Sequence, residues 1–281
     1  MSLPKGQVVL ITGAGRGLGW GIAKAFASTG AKVCATDVNL DELQMGTKEI
    51  SNCGGTVTSC HLDVADAKEF NQVVTNIVDK WGRLDVLVHT AAVMPLISFE
   101  NTSYETWWWE LNISLGGLFN GAKASWEIMK SQGRGHIIGV ASGASYRGHI
   151  NEIAYCVGKH GQEGFIKSLA SEAGNHNIAV NTISPGKSIK PTGITRQAAT
   201  DMSKDITTGW ADPANLGKAF VWLSNQEPTQ YNGLSFSAGS LVDTIDSEGW
   251  DFDFTPEKVT PRAEDMIARL EWQNQQNKAG I

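Results

Sequence analysis

Eight residues near the start, Thr12-Gly13-Ala14-Gly15-Arg16-Gly17-Leu18-Gly19, restrict the fold more than any other stretch. They follow Val8-Val9-Leu10-Ile11, a short β-branched run, and they open a segment in which Leu18, Ile22, Ala25 and Phe26 recur at helical spacing. A strand that turns at once into a helix needs close backbone approaches that side chains obstruct, and glycine removes the obstruction. Gly30 stands where the helix end wants a left-handed residue, and Lys32–Thr36 then reads as a second strand. Strand, glycine turn, helix, strand is the predicted order. That context also suits a phosphate: Gly13 permits the bend, while Gly17 and Gly19 let an anion approach backbone N–H groups at the positive end of the helix, in a turn that also holds Arg16 and Leu18.

The alternation continues. Further β-branched runs at Thr56–Leu62, Val86–His89, His136–Ala141, Ala179–Ile183 and Leu234–Ser237 are separated by longer helical patterns. The expected fold is therefore α/β, a doubly wound, mostly parallel, Rossmann-like sheet with right-handed crossovers, in a single domain with a C-terminal extension. Residues 1–239 read as a dinucleotide-binding catalytic domain, and the aperiodic stretch 186–211 reads as a mobile substrate loop within it. Residues 240–281 form the extension, with aromatics at Trp250, Phe252 and Phe254 and a helix candidate from Arg262 to Lys278. Hydrophobic residues at 41%, joined by 31 glycines, exclude a disordered chain.

Charge and cysteine content exclude other classes. Twenty-three Lys and Arg against 29 Asp and Glu give −6, which repels a polyanion, so no nucleic-acid partner is expected. No apolar run approaches the roughly 18 residues of a membrane span, and Met1-Ser2-Leu3-Pro4-Lys5 shows no signal-peptide pattern. The reading is a cytoplasmic protein with no membrane partner. Cys34, Cys53, Cys60 and Cys156 lack the spacing of metal ligands, so no metal site is expected.

Asp37 ends the second strand 24 residues after Gly13, near the spacing at which an acidic side chain accepts hydrogen bonds from an adenosine ribose. Its charge would repel a 2′-phosphate, which favours NAD; Arg16, able to pair with that phosphate, keeps NADP open. Helix capping is the structural alternative for Asp37. Farther along, Tyr155 and Lys159 stand four apart in Asn151 to Gly174, a helical segment, and so share one face. Ser142 follows the run His136–Ala141, at the sheet edge where open α/β folds bind ligands.

With these residues in order, the chain resembles the short-chain dehydrogenase/reductase family over roughly residues 5–239. The resemblance rests on Thr12-Gly13-x-x-x-Gly17-x-Gly19, Tyr155-x-x-x-Lys159, Ser142 13 residues before that Tyr, and Asn112 in Leu111-Asn112-Ile113-Ser114. Asp63-Val64 and Pro185-Gly186 also match. It implies a nicotinamide-dependent alcohol dehydrogenase or carbonyl reductase with the tetrad Asn112, Ser142, Tyr155 and Lys159. Ser142 would bond the substrate oxygen and Tyr155 would exchange its proton. Lys159 and the oxidised cofactor would lower the phenol's pKa, and Asn112 would hold a water linking Lys159 to solvent. The resemblance also implies a homodimer or homotetramer built on helices around residues 103–130 and 152–174. The run Trp107-Trp108-Trp109 cannot face one site from a helix and reads as core and interface packing.

The chain departs from the family at His89-Thr90-Ala91-Ala92, where Asn-Asn-Ala-Gly is usual. Backbone contacts of Thr90, Ala91 and Ala92 to the cofactor are expected to survive, the amide tie between strands is lost, and His89 reads as strand-end packing. The threonine expected near the nicotinamide amide falls late, at Thr192. Met94, Ala144, Arg147 and Lys187 are expected at the substrate. The cations Arg147, His149, Lys187 and Lys190 suggest an anionic group on it, with solvated loop charge as the alternative. The leading function is NAD-dependent interconversion of a secondary alcohol and its ketone, on a polar, sugar-like or anionic small molecule. An NADPH-dependent carbonyl reductase and a non-catalytic nicotinamide-binding sensor are the alternatives. The extension is expected to cover a neighbouring subunit or to close the cleft.

Overall fold

The computed structural model describes residues 6–203 and 207–254. Its strands are β1 (Val8–Thr12), β2 (Lys32–Asp37), β3 (Thr56–His61), β4 (Val86–His89), β5 (Gly135–Val140), β6 (Ile178–Ser184) and β7 (Ser235–Ser237). They form one seven-stranded sheet in the order β3-β2-β1-β4-β5-β6-β7, with every pairing parallel. All seven β-branched runs are thus strands of a single Rossmann-like domain.

A parallel sheet is covered on both faces, which is why β1 is apolar without a break and wholly buried. Val9 and Ile11 join one core with Phe26 of α1 (Gly17–Ser28), Leu43 of α2 (Leu40–Asn52), Trp222 of α8 (Pro213–Asn225) and Leu241 of α9 (Ala238–Glu248). Val8 and Leu10 point the other way, into a core shared with Phe70 of α3 (Ala67–Trp81), Leu118 of α5 (Gly117–Gln132) and Ile166 of α6 (Ile153–Ala173). The chain leaves β1 toward one face and β4 toward the other. Between their C-terminal ends lies the topological switch point, where such sheets take ligands.

Three segments differ from the sequence reading or refine it. Helix α4 (Tyr104–Leu111) does not end before α5 but runs into it through a π-helical turn, Asn112–Gly116. Within 186–211 lies a short helix α7 (Arg196–Asp201), capped by the Thr195 hydroxyl; six residues are too few for apolar periodicity to announce. The described part of the extension packs on its own domain. Phe252 stacks on Trp222 with centroids 4.8 Å apart, and the Tyr231 hydroxyl donates to the Phe254 carbonyl at 2.9 Å. The helix candidate Arg262 to Lys278 lies outside the described residues. No helix among the described residues is long and apolar enough to cross a membrane.

Candidate active site

A cleft of about 940 Å³ opens at the switch point, and most of the predicted site residues line it. On the nucleotide side these are Gly13, Arg16, Gly17, Leu18, Gly19, Asp37, Asp63, Val64, Thr90, Ala91 and Ala92, and beyond them Pro185, Gly186 and Thr192. A side chain at Gly19 would collide with the Gly13 carbonyl, and one at Gly13 would press on the Ala91 backbone at 2.9 Å, so the turn closes only with glycine at both. Helix α1 starts at Gly17 after Arg16, which makes no side-chain capping bond, and no acidic residue lies in the first turn. Those free N–H groups at the positive helix end fit a dinucleotide pyrophosphate. Asp37 accepts from Gly15 N and from Asn39 N, both at 3.0 Å, which fixes its carboxylate at the cleft wall. Capping of α2 falls instead to Asn39, which accepts from Glu42 N. Arg16 reaches across to the Thr192 carbonyl at 3.4 Å.

The ends of β1 and β4 are tied by His89, in place of the amide absent from this stretch. Its Nε2 stands 3.0 Å from the Ser114 carbonyl, which only accepts, so Nε2 carries the proton. Nδ1 therefore accepts from the Thr12 hydroxyl at 3.0 Å, and Thr12 Oγ1 in turn accepts from the backbone of Thr90 and Ala91. Burial, reinforced by the Lys159 charge, takes the His89 pKa down to about 3, so the ring is neutral. It is a strut at the strand end.

Ser142, Tyr155 and Lys159 meet on the far side of the cleft. Ser142 follows β5 and opens a short 3-10 turn, its hydroxyl accepting from Ala144 N at 3.2 Å. Tyr155 and Lys159 project from one face of α6, with Lys159 Nζ 5.6 Å from the phenol ring centre. Lys159 is buried, donating to the Val140 carbonyl at 2.6 Å and to Gln162 Oε1 at 3.2 Å. Burial brings its pKa down to about 8 against the opposing pull of Glu163. Burial holds the pKa of Tyr155 above the ordinary phenol value, only partly offset by Ser142, with Glu152 and Cys156 adding to the rise. The ammonium is aimed at two acceptors rather than at the phenol.

Two predicted residues are not brought to the cleft. Asn112 lies exposed at the start of the π-helical turn and does not line it. Ala144 is buried behind it, packed with Tyr155 and Cys156. Met94, Arg147 and Lys187 do line it, but Lys187 is engaged by Asp243 at 2.5 Å. Lys190 bonds the Ile194 carbonyl. Arg147 makes no ion pair among the described residues. Sequence reasoning missed Glu152 in the lining and Gln162 behind Lys159. The spacing of Tyr155, Lys159, Gln162 and Ile166 on one helical face was the available signal for Gln162.

The sequence pattern of the short chain dehydrogenases matches residues 7–203. D-threitol dehydrogenase of Mycolicibacterium smegmatis is 33% identical over 235 residues, which cover 81% of this chain and 89% of that one. The 2-dehydro-3-deoxy-D-gluconate 5-dehydrogenase of Bacillus subtilis is 31% identical over 234 residues, covering 82% and 91%. Among solved structures, a short chain dehydrogenase from Mycobacterium smegmatis superposes with a TM-score of 0.72 at 25% identity, over 85% of this chain and 93% of that one.

Proposed function

Because the chain belongs to the short-chain dehydrogenase/reductase family, and is thereby an oxidoreductase that works with a nicotinamide cofactor, we propose that it interconverts a secondary alcohol and its ketone with NAD. The observation that carries this reading is the convergence of Ser142, Tyr155 and Lys159 on the cleft that the uncapped start of α1 also faces. Asp37 supports NAD, since a 2′-phosphate would meet a carboxylate already fixed by two backbone bonds. Arg16, the feature favouring NADP, is turned to the Thr192 carbonyl.

When bound, the nicotinamide supplies the two-electron step, accepting or donating hydride at its ring, and carries positive charge when oxidised. Ser142 holds the substrate oxygen by hydrogen bonding. Tyr155, protonated in this buried setting, is ready to give its proton to a ketone oxygen; in the alcohol direction it takes that proton as a base. Lys159 stabilises the phenolate through space, an effect that strengthens as the cleft loses water. Backbone groups of Thr90, Ala91, Ala92, Pro185 and Gly186, with the loops at Asp63-Val64 and Thr192, hold the dinucleotide.

The substrate reading is a polyol or sugar-derived molecule, in keeping with the two relatives named for threitol and a deoxygluconate derivative. Arg147, with Met94 at the same rim, would pair with a carboxylate on such a molecule. Exposed Trp108 and Phe119, at 58% and 54%, support a homo-oligomer packed through this side of the molecule. The test follows reduced-nicotinamide absorbance while polyols and sugar acids are offered with NAD or NADP. NAD-dependent oxidation of a polyol or sugar acid is expected. Turnover confined to NADP, or to apolar alcohols, contradicts the cofactor or substrate assignment.

A further inference from the structure

Gln162 is completely buried on the face of α6 that carries Tyr155 and Lys159. Its amide orientation is fixed by chemistry at both ends. Nε2 donates to the Ser114 carbonyl at 2.7 Å, leaving Oε1 to accept from Lys159 Nζ at 3.2 Å; the flipped amide would set acceptor against acceptor and donor against donor. Ser114 lies within the π-helical turn, and its carbonyl is shared with His89 Nε2, so the anchor is itself held by the end of β4. No contact from Asn112 reaches Lys159 among the described residues.

We propose that Gln162 is a positioning residue for Lys159, a buried amide strut that fixes the ammonium to the helix break at Ser114; this rests on the assignment of Tyr155 and Lys159 to proton transfer. The charged and titratable groups facing Lys159 are Glu163 and Tyr155 from its own helix and neutral His89 from β4. Glu163 favours the ammonium and burial opposes it. An acceptor held on Nζ favours the charged form, so its removal lowers the pKa and weakens the field at Tyr155.

The test uses the full chain without cofactor. Lys159 labelling by a small amine-reactive reagent is followed across pH by peptide mass spectrometry in the parent, Gln162→Leu and Gln162→Glu. Gln162→Leu is expected to lower the labelling midpoint by about one pH unit, the size of one charge-assisted hydrogen bond. Gln162→Glu keeps an acceptor on Nζ and is expected to hold the midpoint at or above the parent's. If Gln162→Leu does not fold, Gln162→Met replaces it, with a smaller drop in the same direction. An unmoved midpoint in the apolar variant, or an equal drop in both variants, overturns the strut. Turnover adds a second reading: kcat in Gln162→Leu falls about tenfold near neutral pH with KM little changed. Absence of turnover on any alcohol alongside a shifted midpoint leaves the strut standing and removes the functional reading.

Discussion

Replacing His89 by Leu should make stability less sensitive to acid while lowering it at neutral pH. In the folded protein His89 takes its proton only at about 3, against about 6.5 for an unfolded chain. Between those values the unfolded state binds the extra proton, so stability falls as pH falls, by about 1.4 kcal/mol per unit for this one residue. Leu removes that dependence. It also leaves the Thr12 hydroxyl and the Ser114 carbonyl each short of one partner, costing about 2–3 kcal/mol near neutral pH. The stability gap between parent and His89→Leu should then narrow by about 2 kcal/mol on going from about pH 6.5 to about pH 5. His136, also buried and brought to about 3, is present in both proteins and cancels in the difference. Urea unfolding at several pH values measures the gap directly. Curves that stay parallel across that range would refute the buried neutral strut.

Gly19→Ala should abolish cofactor binding or prevent folding, because the added carbon collides with the Gly13 carbonyl; calorimetry showing parental cofactor affinity would contradict the glycine-turn geometry. Asp37→Ala should weaken NAD and improve NADP, narrowing the affinity ratio by about tenfold or more, the scale of one charge-assisted hydrogen bond. An unchanged ratio would remove Asp37 from cofactor selection.

The layered α/β fold was legible because its signals are local and repeated. Seven short β-branched runs alternate with helical patterns, and β1, buried on both faces, has no polar residue before Thr12. Tyr155, Lys159 and Ser142 were legible as a spacing that the fold converts into one cleft wall. The break between α4 and α5 that begins at Asn112 was not legible, because a π-helical turn has no sequence periodicity of its own. Lys187 counted as a free cation until Asp243, 56 residues later, was brought to it. Gln162 and His89 went unread as a pair because their common partner, the Ser114 carbonyl, belongs to the backbone and leaves no mark in the side-chain sequence. The rise in the Tyr155 pKa was hidden for a related reason: desolvation depends on packing from several elements at once.

The central claim is that Tyr155 exchanges the substrate proton inside a cleft whose nucleotide side is independent of it. Steady-state turnover and cofactor titration of Tyr155→Phe, beside the parent, test it most directly. The account predicts cofactor affinity within a few-fold of the parent and a loss of about 10² or more in kcat, the scale of one general acid–base group. Parental kcat in the variant would contradict it.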